Sequence, residues 1–264
     1  MNGLARKGKI VLLLVLTVVL LMIVSGRVSP AESGSGSGTD AEVRAPVWIT
    51  VPPSGDPIES AEVPMSNIRE YLPGVSLNDW NLRLVNNVYI LNESFVPEFA
   101  QTRDNTYFDA RAVDALEAML SAAEEAGYTV CIRNAYRPYR TQAYLFFGRA
   151  TIISENQNID YAEAEEMARS VIAYPGTSEH QTGLCVDIMD SSATGMAAEE
   201  VEDLPVLKWL RAHCAEYGFI YRYPKEKQEI TGWFEPWHFR YVGQEAAQFM
   251  MMNDLCLEEF YKYF

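Results

Sequence analysis

Two short stretches hold most of the residues in this chain that could do chemistry: SEHQTGLCVD, from Ser178 to Asp187, and EPWHFRY, from Glu235 to Tyr241. The chain has only three histidines, and two of them, His180 and His238, stand in these stretches beside acidic residues. Two imidazoles and one carboxylate, with a second carboxylate close by, is the ligand count of a catalytic zinc site. Such a site uses three protein ligands and leaves a fourth position open for water. The spare carboxylate then serves as the base that takes the proton of that water.

The spacing says which elements must carry these groups. His180 and Asp187 are seven residues apart with Gly183 between them, which does not place both on one helical face as an i, i+4 pair would be. It fits a loop ending at His180, a turn at Gly183, and a strand over Leu184 to Met189 that presents Asp187 from a rigid element. His238 must arrive from a separate element. Glu235 lies three residues before His238, and on an ideal strand the two would face opposite ways. Pro236 breaks that regularity and offers a way to turn both toward one point. The segment RNAYRPYRTQ, Arg133 to Gln142, follows a predicted strand and opens a helix, so its side chains should line a cleft mouth. Arg137 is suited to grip a carboxylate or an oxyanion. Each group also has a plainer reading: a hydrogen-bonded core histidine, a glutamate capping a turn, a surface arginine at a strand end.

The remaining candidates are weaker. His213 falls inside a predicted helix with no partner pattern and reads as structural or exposed. No pair among Cys131, Cys185, Cys214 and Cys256 has C-x-x-C spacing, so a thiolate zinc site is not expected. Cys131 and Cys185 fall in predicted buried strands and read as small core hydrophobes.

The surrounding pattern is mixed. Helices are expected over Asp109 to Ala126, closed by Gly127 at C′, over Tyr139 to Arg149, from Asp160 (with Glu163 completing a capping box) to Pro175-Gly176, over Pro205 to Tyr217, and through most of Gln244 to Phe264. Strands are expected at Leu82 to Leu91, Tyr128 to Asn134, Leu184 to Met189, Phe219 to Tyr223 and Trp237 to Val242. Neither a repeat nor a regular βαβ alternation is present. The fold class is therefore α+β, a small central, mostly antiparallel sheet flanked by helices in a single catalytic domain.

A 264-residue chain with 48% hydrophobic and 12% aromatic residues is long and apolar enough to bury a core. Its net charge of -15 repels phosphate backbones and excludes nucleic-acid partners. At the start, Arg6, Lys7 and Lys9 precede an uncharged apolar run, Ile10 to Val24, and the tether Ser33-Gly34-Ser35-Gly36-Ser37-Gly38 follows. This reads as an export signal, either an uncleaved anchor with its basic end inside or a signal peptide that is removed. The expected layout is a signal or anchor over 1–26, a flexible linker over 27–73 and the catalytic domain over 74–264. The expected location is extracytoplasmic, held to the cytoplasmic membrane by the N-terminal segment, or secreted if that segment is cleaved.

Taken together, AYRPYRTQ, GTSEHQTGLCVDI and EPWHFRYVG, with LRLVNNVYILNESFVPEF before them and LCLEEF after them, resemble the zinc D-alanyl-D-alanine carboxypeptidases of the VanY type, a group that includes D,D-dipeptidases and L,D-carboxypeptidases. The resemblance runs from about Leu82 to Phe260. It implies zinc ligands at His180, Asp187 and His238, a catalytic base at Glu235, an arginine at Arg137 that steadies the polarised carbonyl, and substrate contacts at Gln142 and Ser178. It implies Zn2+ as cofactor and peptidoglycan stem peptides as substrate, with loss of the terminal D-alanine. Trimming of tetrapeptide stems as an L,D-carboxypeptidase, and a zinc-stabilised wall-binding module without catalysis, are the alternatives.

Overall fold

Two antiparallel sheets organise the chain. β1 (Phe99–Gln101) and β2 (Tyr107–Asp109) form a hairpin, and β3 (Cys131–Asn134), β4 (Cys185–Met189), β5 (Phe219–Tyr223) and β6 (Glu235–Tyr241) form a second sheet in the order β3-β4-β6-β5. The longer helices are α1 (Val113–Glu125), α2 (Tyr139–Gln157), α3 (Tyr161–Arg169), α4 (Pro205–His213), α5 (Gln244–Met252) and α6 (Leu257–Tyr263). The computed structural model describes residues 68–190, 193 and 196–264, within one compact unit, Val63–Phe264. This is the expected α+β class with a small antiparallel sheet among helices.

Successive side chains on a strand point to opposite faces, and in the larger sheet that alternation separates core from chemistry. Val186 and Ile188 of β4, Phe219 of β5 and Phe239 of β6 pack with Leu116, Met119 and Leu120 of α1 and Leu207 and Leu210 of α4. Burying each such side chain is worth roughly 1.5–3 kcal/mol. The opposite face carries Cys185 and Asp187 of β4 beside Arg240 and His238 of β6, paired in register as Cys185 with Arg240 and Asp187 with His238. A second apolar cluster joins Ile68, Leu72, Leu82 and Ile220 to α5 and α6, and a third clamps α2 to α3 through Phe146, Ala150, Ala164 and Ala168.

Several elements differ from expectation for local reasons. Leu82 to Leu91 is not a strand. Asn86 turns the chain instead, its side-chain oxygen accepting from the backbone of Val88 and Tyr89 at 2.9 and 3.0 Å, the way asparagine competes with regular structure. The hairpin of β1 and β2 was not anticipated, because three-residue strands carry too little periodicity to register. α2 runs on to Gln157 and ends with Asn158 in the left-handed region. Asp160 caps α3 by accepting from Ala162 N at 2.8 Å, but the helix stops at Arg169, before Pro175-Gly176. The C-terminal helical stretch is two helices, α5 and α6, parted at Asn253 and Asp254, the latter at a φ of 50°. All four cysteines are free. Among the described residues no helix is long and apolar enough to cross a membrane. The apolar run Ile10 to Val24, the tether and the linker up to residue 67 lie outside the described residues.

Candidate metal centre

The centre is assembled from a turn and two adjacent strands. A 3-10 turn over Glu179–Thr182 ends in Gly183, whose φ of 71° lies in the left-handed region. A Cβ at Gly183 would come within 3.1 Å of Pro97 Cγ and 3.3 Å of Asp109 N. This is the residue that lets the chain swing from His180 into β4. Gly183→Ala is expected to cost about 1–2 kcal/mol of stability from the backbone conformation alone, measurable by chemical denaturation; an unchanged midpoint would show that the turn does not need glycine. The backbone N–H of Arg137 donates to His180 O at 2.9 Å, docking the loop after β3 against the same turn.

His180, Asp187, His238 and Glu235 converge. The His180 ring Nδ1 lies 2.7 Å from the carbonyl of Ala135. A carbonyl only accepts, so Nδ1 carries a proton and Nε2 is left to face Asp187 Oδ2 at 3.4 Å. His238 presents Nδ1 to the other oxygen of the same carboxylate, 3.0 Å away, and to Glu235 Oε2 at 3.4 Å. The two imidazole planes stand at 84° with centroids 5.0 Å apart. Glu235 reaches this point because the pairing of β5 with β6 jumps from Tyr221 opposite Phe239 to Tyr223 opposite Glu235, a register shift that spans Pro236. Its side chain is 29% exposed, so it touches both the cluster and solvent.

The electrostatics of the pocket favour a positive charge. Burial opposes protonation of His180, but Cys185 and Asp187 beside it prevail and its pKa is pushed up to about 9. His238 is raised well above its ordinary value against the same opposition, by Cys185, Asp187 and Glu179. Burial resists ionisation of Asp187, yet the two imidazoles hold it far below the usual carboxylate range. Burial raises the Glu235 carboxyl, Asp187 adds to that, and His238 opposes it. A base needs a lifted pKa of this kind to accept a proton near neutrality. Two imidazoles, each held by a partner on its far side, and a carboxylate are a donor set that suits a divalent cation such as zinc.

Those far-side partners include residues that sequence reasoning missed. Glu179 is fully buried and places Oε2 3.4 Å from His238 Nε2. Its other oxygen accepts from Arg222 Nε and Arg240 Nη1, both at 2.9 Å. Both arginines have no exposed surface. Arg240 also donates to the carbonyls of Asn81, Arg83 and Tyr241, and Arg222 makes a two-pronged pair with Glu258 at 2.8 and 2.7 Å. Burial would push the Glu179 carboxyl up, but the two guanidinium groups keep it ionised, well below the ordinary range. A signal was present: Arg222 and Arg240 fall within strands that the sequence marks as buried, and a buried guanidinium requires an acid.

The other expected site residues make side-chain hydrogen bonds of their own, away from the four-residue cluster. Arg137 Nη2 donates to Ser178 Oγ at 3.4 Å, and its buried Nε has no partner among the described residues. Gln142 is buried near the start of α2 with its amide nitrogen on Ala173 O, while its Oε1 has no partner. Ser178 is buried at the head of the 3-10 turn. His213 is outside the cluster, stacked on Trp209 and bonded to Glu216. Cys185 is the correction here. It is buried as expected, but its sulfur adjoins both imidazoles instead of filling apolar core.

A sheet-borne cluster of two histidines and an aspartate, with a half-buried glutamate against it, has the donor types of a metallohydrolase centre. The chain belongs to the VanY family, D-alanyl-D-alanine carboxypeptidase, whose sequence model matches residues 105–244. It is 36% identical over 185 residues to a D-alanyl-D-alanine carboxypeptidase of Enterococcus faecalis, an alignment covering 69% of this chain and 66% of that protein, so the chain spans about two thirds of that relative's length. A Glu-to-Ala variant of the vancomycin resistance D,D-pentapeptidase VanY, solved in complex with Zn(II), superposes with a TM-score of 0.60 at 34% identity over 69% of this chain and 99% of that one. The LdcB LD-carboxypeptidase superposes with a TM-score of 0.61 at 35% identity over 68% of this chain and 85% of that one.

Proposed function

We propose that this protein is a zinc-dependent carboxypeptidase that removes the terminal D-alanine from peptidoglycan stem peptides ending in D-alanyl-D-alanine. The observation that carries the reading is the convergence of His180, Asp187 and His238 with Glu235 against His238 beside them. His180, Asp187 and His238 would hold the ion, which when bound acidifies water and polarises the scissile carbonyl. Glu235 takes the proton of the attacking water and returns it to the departing D-alanine nitrogen as the C–N bond breaks. Arg137, with its guanidinium Nε unsatisfied, steadies the negative charge that grows on the carbonyl oxygen. By the family resemblance Gln142 and Ser178 would contact the substrate's terminal region, and the unpartnered amide oxygen of Gln142 would offer it an acceptor.

The experiment is incubation of the zinc-loaded protein with two defined stem peptides, one ending in D-alanyl-D-alanine and one in a single D-alanine. Mass spectrometry should show loss of one alanine from the first, abolished by a chelator and restored by zinc. Preferential cleavage of the second would make the chain an L,D-enzyme, and binding without cleavage would make it a wall-binding module. Stem peptides lie outside the cytoplasmic membrane. On this reading the apolar run Ile10 to Val24 exports the domain and, if uncleaved, anchors it. Full protection of the domain from protease added to wall-stripped cells would overturn that placement.

A further inference from the structure

Cys185 has no part in the chemistry above, yet it sits inside the metal cluster. It is fully buried, two residues before Asp187 on the same face of β4, opposite Arg240 in the register. Its Sγ and one nitrogen each of His180 and His238 all lie within 4.8 Å of one another. A tetrahedral zinc ion takes nitrogen at about 2.0–2.1 Å and thiolate sulfur at about 2.3 Å, so this constellation needs only a modest closing of the pocket to share one ion. A core position would be filled as well by a small apolar side chain. What the thiol adds is a soft donor within reach of both imidazoles.

We propose that Cys185 is a further protein ligand of this centre, able to occupy the coordination position that water otherwise takes. The proposal rests on the metal reading given above and deepens it. Sulfur, His180, Asp187 and His238 together make four protein donors, the number that closes a tetrahedral site. The step is an exchange without redox change: the S–H bond breaks, a metal–sulfur bond forms, the thiol proton leaves to solvent, and the water is released. The centre would then have two forms, one holding the ion through three protein ligands and one through four, the latter unable to hydrolyse. Hard cations favour the first, and soft, thiophilic ions such as Cd2+ favour the second.

Cobalt(II) and cadmium test this on the whole protein without reading activity. Wild-type protein loaded with Co2+ should show a sulfur-to-cobalt charge-transfer band in the near ultraviolet, absent from Cys185→Ala. Among the described residues, which include all four cysteines, no cysteine other than Cys185 belongs to a metal-capable cluster, so the band has one assignment even if the variant fails to fold. Competition with a chelator should show Cd2+ held about tenfold or more tightly by wild type than by Cys185→Ala, the scale of loss when a supporting group leaves a metal site. Visible cobalt bands without a sulfur band, or equal Cd2+ affinities, would overturn the role of Cys185 and leave the zinc reading intact. A protein that takes up neither cobalt nor cadmium would overturn both.

Discussion

Glu235→Ala is expected to keep its metal and lose about 10²–10⁴-fold in kcat, the usual contribution of a positioned general base. The side chain has no part in the core, being 29% exposed, and the three groups that would hold the ion remain. Removing it leaves the water without an acceptor for its proton and the departing amine without a donor, so the loss falls on turnover more than on binding. Zinc content by elemental analysis, measured beside kcat and KM on a pentapeptide stem, checks both halves. Turnover near the wild-type value would remove Glu235 from the reaction. A metal-free variant would show that it is a ligand instead of a base.

Glu179→Leu should be among the most destabilising single changes in the domain, by about 3–5 kcal/mol, because it strips a buried anion from two buried cations. Arg222 keeps Glu258 and Arg240 keeps three backbone carbonyls, so neither is left wholly bare, but the charge balance of the interior is broken. Glu179→Gln retains the shape and hydrogen-bonding capacity and should cost less. Both should weaken zinc about 10–100-fold, the effect of losing the group that orients a ligating imidazole, here His238 through its Nε2. Urea denaturation and chelator competition read the two effects separately. Stability within 1 kcal/mol of wild type for the leucine variant would show that the arginines find other compensation, and zinc affinity unchanged in the glutamine variant would show that His238 needs no such support.

What was legible in the sequence follows the reach of each signal. The helix of α1, with Leu116, Met119, Leu120 and Ala123 buried and Gly127 at a φ of 91°, was readable because its period and its stop are both local. So was β4, a short apolar run between Gly183 and a polar loop. Leu82 to Leu91 has the apolar, β-branched content of a strand, but the side chain of Asn86 builds a turn that no hydrophobic count detects. His180, Asp187, Glu235 and His238 stood out as residue types, but which nitrogen of each ring faces the cluster depends on Ala135 O and Glu179, contacts across 45 and 59 residues. The network of Glu179, Arg222, Arg240 and Glu258 was not foreseen for the same reason. Arg222 and Arg240 are buried on neighbouring strands, yet their acid comes from a turn 43 and 61 residues away in the chain. Burial alone does not distinguish a sulfur packed in hydrocarbon from one beside two imidazoles, as at Cys185.

The pairing of Arg222 with Glu258 reaches further than its place near the end of the chain suggests. Glu258 belongs to α6 and contacts neither imidazole, but it holds the guanidinium that holds Glu179, which in turn steadies His238. Shortening the protein ahead of Leu257, or fusing a bulky tag that pries the last helix loose, would slacken a relay ending at the reactive centre. Through Glu258, α6 is thus linked to the group that orients the His238 ring.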